Sequence, residues 1–198
     1  TTGVENTLIG SNAGDALTDA DYNIAIGMSS LTSDTLGSRS VAIGYQSLAF
    51  QNFTTATDTY NTAVGFQAGN KITTGVNNTL IGALAGDALT DADFNVAIGT
   101  NSLSSDTLGS ISIAIGHAAL ENQNFTTATN SLNVAIGHVA GQAVTTGVNN
   151  TLLGHRSGDA LTDADSNVAV GESALSSDTL GSGSVAIGDS ALYAQNFT

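Results

Sequence analysis

The chain has 198 residues, 41% of them hydrophobic and only 10% charged, with 23 Gly and no Pro, Cys or Trp. That composition is too apolar for a disordered tail, and the lack of Cys excludes disulfides, thiolate metal sites and a Cys nucleophile. A net charge of −14, with Arg39, Lys71 and Arg156 the whole basic complement, excludes nucleic acid as a partner and disfavours anionic membrane; no apolar run approaches the ~20 residues of a membrane helix.

In chain order, one short phrase recurs: polar, β-branched, Ala or Leu, aliphatic, Gly. It reads NTLIG at 6–10, NIAIG at 23–27, SVAIG at 40–44 and NTAVG at 61–65. It returns as NTLIG at 78–82, NVAIG at 95–99, SIAIG at 112–116 and NVAIG at 133–137, then as NTLLG at 150–154, NVAVG at 167–171 and SVAIG at 184–188. Ten intervals separate the eleven closing glycines; eight are 17 residues and two are 21, so four coils form a super-repeat of 72. Its copies are residues 1–72 and 73–144, with 145–198 a partial third. The chain therefore reads as one repeat region over 1–198, an excerpt of a longer fibre.

Each phrase is too short for a helix and alternates as a strand does. The residue three before Gly is β-branched in every coil and the residue one before is aliphatic, as in Val96 and Ile98. These two share a strand face, and the expectation is that this face lines the core. The Ala or Leu between them, such as Ala25, Ala42 and Leu80, is then expected to point outward and to form a second packing surface for oligomerisation.

After the Gly the coils divide. Six have Leu at the fourth position (Leu31, Leu48, Leu103, Leu120, Leu175, Leu192) with an apolar residue nine after the Gly. Five have Gly there (Gly14, Gly69, Gly86, Gly141, Gly158) with an apolar residue seven after. Both patterns predict a second buried segment. The residue four before each Gly is Asn in eight coils and Ser in three, which predicts an Asn ladder along the stack. The fold expected is all-β, a parallel β-solenoid of eleven coils, about 50 Å long at one strand spacing per coil.

The SVAIG phrases at 40–44 and 184–188, with Ser47 and Ala191 just beyond, resemble the head repeats of YadA-like trimeric autotransporter adhesins, and the same wording resembles repeats of phage tail fibres. The resemblance spans all eleven coils, although coils of 17 and 21 residues are longer than that family's repeat. It implies a left-handed β-roll that trimerises on a cell or virion surface, and it brings no catalytic residues.

Several residue groups are candidates for chemistry. The acidic loop GDALTDAD supplies Asp15, Asp19 and Asp21, then Asp87, Asp91 and Asp93, then Asp159, Asp163 and Asp165. Three carboxylates with loop carbonyls offer hard oxygen ligands for calcium, although the spacing is neither an EF-hand nor a calcium β-roll nonapeptide; no other cofactor is expected. His117, His138 and His155 each follow a coil Gly in successive coils, a ladder with metal-binding chemistry. TTAT at 54–57 and 126–129 resembles an ice-binding Thr array but occurs in one coil of four. NFT at 52–54, 124–126 and 196–198 and NNT at 77–79 and 149–151 match the glycosylation sequon. No G-x-S-x-G elbow stands in a strand–turn–helix context, and every constellation recurs, so the expectation is not an enzyme. The expected role is the structural or adhesive segment of an extracellular fibre, self-associating as a homotrimer or filament. The alternative is calcium-dependent recognition of a host glycan or receptor through the Asp loops.

Overall fold

The structure, a computed structural model, describes residues 2–197. Eleven three-residue strands, from Thr7–Ile9 to Val185–Ile187, form one parallel sheet in strict sequence order. Each strand pairs in register with the strand of the next coil, as Val96 with Ile113 and Ile98 with Ile115. The repeats thus stack as a β-solenoid of eleven coils, with no helix among the described residues. Backbone bonds run along the stack: the Thr79 amide donates to the Asn95 carbonyl (2.8 Å) and the Gly99 amide to the Ile81 carbonyl (2.7 Å). Apart from short turn bonds and side-chain bonds within a coil, the backbone bonds link one coil to the next, so each coil depends on its neighbours.

The two strand faces are the reverse of the sequence expectation. Ala25, Ala42, Ala63, Leu80, Ala97, Ala114, Ala135, Leu152 and Ala169, all two before a coil Gly, are completely buried. The β-branched and aliphatic residues on either side of them face outward. Alternation says which residues share a face, but with apolar side chains on both faces it does not say which face turns inward. Room decides. The interior of a 17-residue coil is narrow, and it accepts Ala, or Leu where space is made for it. The Asn or Ser four before each Gly, buried in all but the two end coils, has the same parity as that Ala or Leu, so the two occupy one inner face. The row of small residues is therefore core, and it offers no surface to a partner.

Space for Leu comes from the fourth position after the Gly. Leu8, Leu80 and Leu152 occur in coils with Gly14, Gly86 and Gly158. A Cβ built on Gly86 would lie 2.8 Å from Leu80 Cδ2 and 2.8 Å from Leu89 Cδ1. Coils with Ala on the strand mostly place Leu at that fourth position, and Leu31, Leu48, Leu103, Leu120 and Leu175 are fully buried. Those leucines have φ between 48 and 55°. The left-handed backbone costs roughly 1–2 kcal/mol, and burying Leu returns about 1.5–3 kcal/mol, so the strain is tolerated. The second buried segment expected from sequence is present, with Ile72, Leu89, Val144 and Leu161 buried in Gly-type coils and Phe53 and Phe125 in Leu-type coils. Leu180, Leu192 and Phe197, at the C-terminal end of the described stack, are exposed.

The Asn column forms a ladder between side chain and backbone. Oδ1 of Asn61 accepts the Asn78 amide (2.9 Å), and Oδ1 of Asn78 accepts the Asn95 amide (3.0 Å). Meanwhile Nδ2 of Asn78 donates to the Ala92 carbonyl (2.8 Å) within its own coil. The ladder is interrupted where Ser40 and Ser112 meet the 21-residue coils. There Ser40 Oγ pairs with Thr59 Oγ1 (2.6 Å), and a Gln side chain joins the network. The extra residues emerge as exposed loops at 54–56 and 126–128, after which the chain regains register through Gly37–Ser38 against Thr57–Asp58 and Gly109–Ser110 against Thr129–Asn130.

Candidate interaction face

The outward side of the long sheet carries four columns of side chains: five, three and one before each Gly, and one after it. In the coil closed by Gly99 these are Phe94, Val96, Ile98 and Thr100; in the coil closed by Gly65 they are Tyr60, Thr62, Val64 and Phe66. The chain has 17 acidic residues, yet from Tyr22 to His155 these four columns hold no carboxylate. Glu5, Glu172 and Asp189 lie in the same columns only at the two ends, and Arg39 is the single permanent cation. The acid-free stretch, eight coils long, is about 40 Å by about 15 Å from strand geometry, roughly 600 Å² and so somewhat below the ~800 Å² each partner gives to a standard stable interface.

Large apolar groups on this strip reach solvent: Phe66 is 50% exposed, Phe94 56% and Ile81 38%. Those five before the Gly adopt left-handed backbone, including Tyr22 (φ 60°), Tyr60 (φ 51°), Phe94 (φ 58°) and the β-branched Ile111 (φ 61°). Asn77 and Asn149, at the equivalent position of other coils, are the side chains that such a backbone ordinarily favours. Along the margin after the Gly the rings stack: Tyr45 on Phe66 at 5.3 Å and 13°, His117 on His138 at 5.2 Å and 15°, and His138 on His155 at 5.2 Å and 38°. On the opposite margin Arg39 lies 4.7 Å from the centre of the Tyr22 ring and 3.0 Å from Asp58 Oδ1, and the Tyr60 hydroxyl donates to Asp58 Oδ2 (3.2 Å). The Asp58 carboxylate, through its hydrogen bond and its charge, pushes Arg39 above its ordinary range.

The Asp loops lie off this strip, and the structure does not gather their carboxylates. In the first loop Asp15 accepts from Thr32 Oγ1 (2.8 Å), Asp19 from Thr2 Oγ1, and Asp21 from the Val4 amide (2.7 Å). In the second, Asp91 accepts from Thr74 Oγ1 (2.6 Å) and Asp93 from the Val76 amide (2.7 Å). Burial pushes the Asp87 carboxyl above its ordinary value against the opposing pull of Lys71. In the third, Asp163 is bonded by Thr146 and Thr145, Asp165 accepts from the Val148 amide (2.8 Å), and Asp159 pairs with Arg156 (2.9 Å). The Thr hydroxyls, first Thr146, hold Asp163 below the ordinary carboxylate range. The second and third acids of each loop thus tie their coil to the one before. Among the described residues no group of three or more His, Asp or Glu is placed to hold a metal ion.

The remaining candidates are dispersed. The exposed TTAT loops lie off the sheet, and Asn52, Asn124, Asn77 and Asn149 of the sequons are exposed; the third Asn-Phe-Thr reaches Thr198, outside the described residues. No pocket opens among the described residues.

Sequence reasoning passed over three buried carboxylates, Asp34, Asp106 and Asp178. Asp106 Oδ1 accepts the Gly109 and Phe125 amides (both 3.0 Å), and Oδ2 accepts Gln123 Nε2 (2.6 Å). Gln123 also donates to Ser112 Oγ (2.9 Å) and accepts from Asn133 Nδ2 (2.8 Å), which carries the ladder across the 21-residue coil. The visible signal was DTLG at 34–37, 106–109 and 178–181, each followed by Gln 17 residues after its Asp. Comparison with family profiles, with curated proteins and with solved structures found no match.

Proposed function

We propose that this chain is a structural segment of an extracellular fibre, a stiff shaft whose copies associate side by side through the apolar strip of the sheet, most simply as a trimer at a cell or virion surface. The observation that carries the reading is the carboxylate-free run of eight coils along the strip, on a chain of net charge −14. Acid is kept off the middle of one face and placed on the others, the arrangement expected where one face meets like copies and the rest meet water. An in-register parallel stack suits a rod, since every added coil repeats the same contacts. The likeness of the SVAIG phrases to adhesin head repeats and phage tail-fibre repeats supports the extracellular setting. The engagement of the Asp carboxylates in inter-coil bonds favours this reading over an ion-dependent glycan or receptor module.

Sedimentation equilibrium at neutral pH tests it. The unaltered chain should have a mass of three copies, and the double variant Val96→Lys, Ile98→Lys should sediment as a monomer with an unchanged circular dichroism spectrum. A folded monomer for the unaltered chain overturns the reading, and so does a variant that assembles as well as the original.

A further inference from the structure

We infer that the His117–His138–His155 column makes association through the strip pH-sensitive, with neutral imidazoles permitting the contact and their protonation releasing it. This rests on the side-by-side reading above and assigns that same face a means of control. The three rings stack at 5.2 Å on the exposed margin, each two residues beyond a strip residue, Ile115, Ile136 or Leu153. Two copies meeting on the strip exclude water from this margin. A desolvated imidazolium is disfavoured, and stacked imidazoliums repel each other as well.

The charges around the column offer compensation only at its His155 end. Glu172, next along it, approaches His155 Nδ1 at 3.5 Å, and Asp189 lies one coil further. On the preceding side stand Thr100 and Ala83, and across the sheet at the same coils stand Ile111, Leu132 and Asn149, all uncharged. Arg156 is held by Asp159, and Glu121 accepts from Gln142 Nε2 (2.6 Å). Among the described residues, neither His117 nor His138 has a carboxylate within ion-pair distance.

The sign follows from linkage. A contact that excludes protons from the column is released by acid, so association weakens as pH falls, by up to about tenfold per pH unit for each proton excluded. General charge repulsion predicts the opposite slope. A chain of −14 loses negative charge on acidification and would associate more tightly. The direction of the pH response therefore separates the two effects.

Sedimentation velocity between pH 7.5 and 5.5 at constant ionic strength, with circular dichroism at each pH, is the test. The unaltered chain should be assembled at pH 7.5 and lose at least tenfold in affinity by pH 5.5 while remaining folded. The triple variant His117→Gln, His138→Gln, His155→Gln should be assembled at both. The inference is overturned if the unaltered chain holds its affinity at pH 5.5, if the triple variant dissociates equally, or if strand signal is lost at pH 5.5. A folded monomer already at pH 7.5 is a different failure: it removes the side-by-side reading, and this inference with it.

Discussion

The inner and outer faces of the same strands obey different rules. Inside, the coil admits Ala or Leu beside Asn or Ser, and in most coils the choice is matched by a neighbour: Leu80 stands with Gly86, and Ala97 with Leu103. Outside, Thr, Val and Ile interchange freely three before the Gly, and Ile, Val and Leu one before it. The inner face is limited by volume and by hydrogen bonds, because buried polar groups must be paired and interiors are close-packed. The outer face is limited only by compatibility with a pleated strand and, from Tyr22 to His155, by the absence of acid. Hydrophobicity alone therefore misleads on these strands, since in most of them Val or Ile lies outside and Ala inside. Confinement is the better guide to the core of a thin solenoid.

The contrast breaks first where backbones of successive coils come closest. Gly99 has φ 129°, and a Cβ on it would stand 2.5 Å from the Gly116 carbonyl oxygen. Neither the dihedral nor the contact can relax without opening the ladder. Gly99→Ala should cost at least ~3 kcal/mol, read as a large drop in the urea midpoint. A variant with an unchanged midpoint would show that the coils are not stacked in this register.

A smaller effect is expected at the buried carboxylates that join coils of unequal length. Asp106→Asn turns an amide donor toward the Gly109 and Phe125 amides or toward Gln123, and should cost about 1–3 kcal/mol in the same unfolding experiment. Its counterpart Asp178 supplies a pH signature. Burial alone pushes the Asp178 carboxyl up, but hydrogen bonds from Gln195 and from the Phe197, Gly181 and Thr179 amides together outweigh it and hold the group below its ordinary value. A carboxyl depressed in the folded state stabilises above its unfolded value, near 4, and loses that contribution as pH falls through the folded one. The thermal midpoint should therefore decline below about pH 4, and less steeply for Asp178→Asn. Equal slopes would remove Asp178 from the acid response.

Much of this architecture is legible in the sequence because a solenoid repeats its own evidence. The closing glycines mark the coils, the β-branched residue in each phrase marks the strand, and the recurring Asn marks the ladder. Three things were not legible. The inward face was misassigned because two-residue alternation is symmetric, and the matched pairs Leu80–Gly86 and Ala97–Leu103 were the overlooked evidence. The role of Asp34, Asp106 and Asp178 depended on Gln residues a full coil away, a contact that exists only after stacking. The backbone of Leu31 or Phe94 was hidden as well, since neither side chain advertises a left-handed dihedral. Gly14 and Asn77, at the equivalent positions of other coils, did carry that information.

The least disruptive change sharpens the contrast most. Thr79 lies on the outer face, three before Gly82, where Val96 and then Ile113 occupy the next two coils of the same column. Thr79→Val changes a hydroxyl to a methyl with little change of shape, and on a half-exposed strand position it should shift stability by no more than ~0.5 kcal/mol. If copies meet on this strip, the same substitution removes a hydroxyl that must be desolvated at the contact, and association should tighten several-fold while the unfolding midpoint of the isolated chain hardly moves. Sedimentation and urea unfolding on one preparation measure both. A gain in midpoint without a gain in association would mean that Thr79 packs within its own chain, and that the outer face is more confined than its freely varying residues imply.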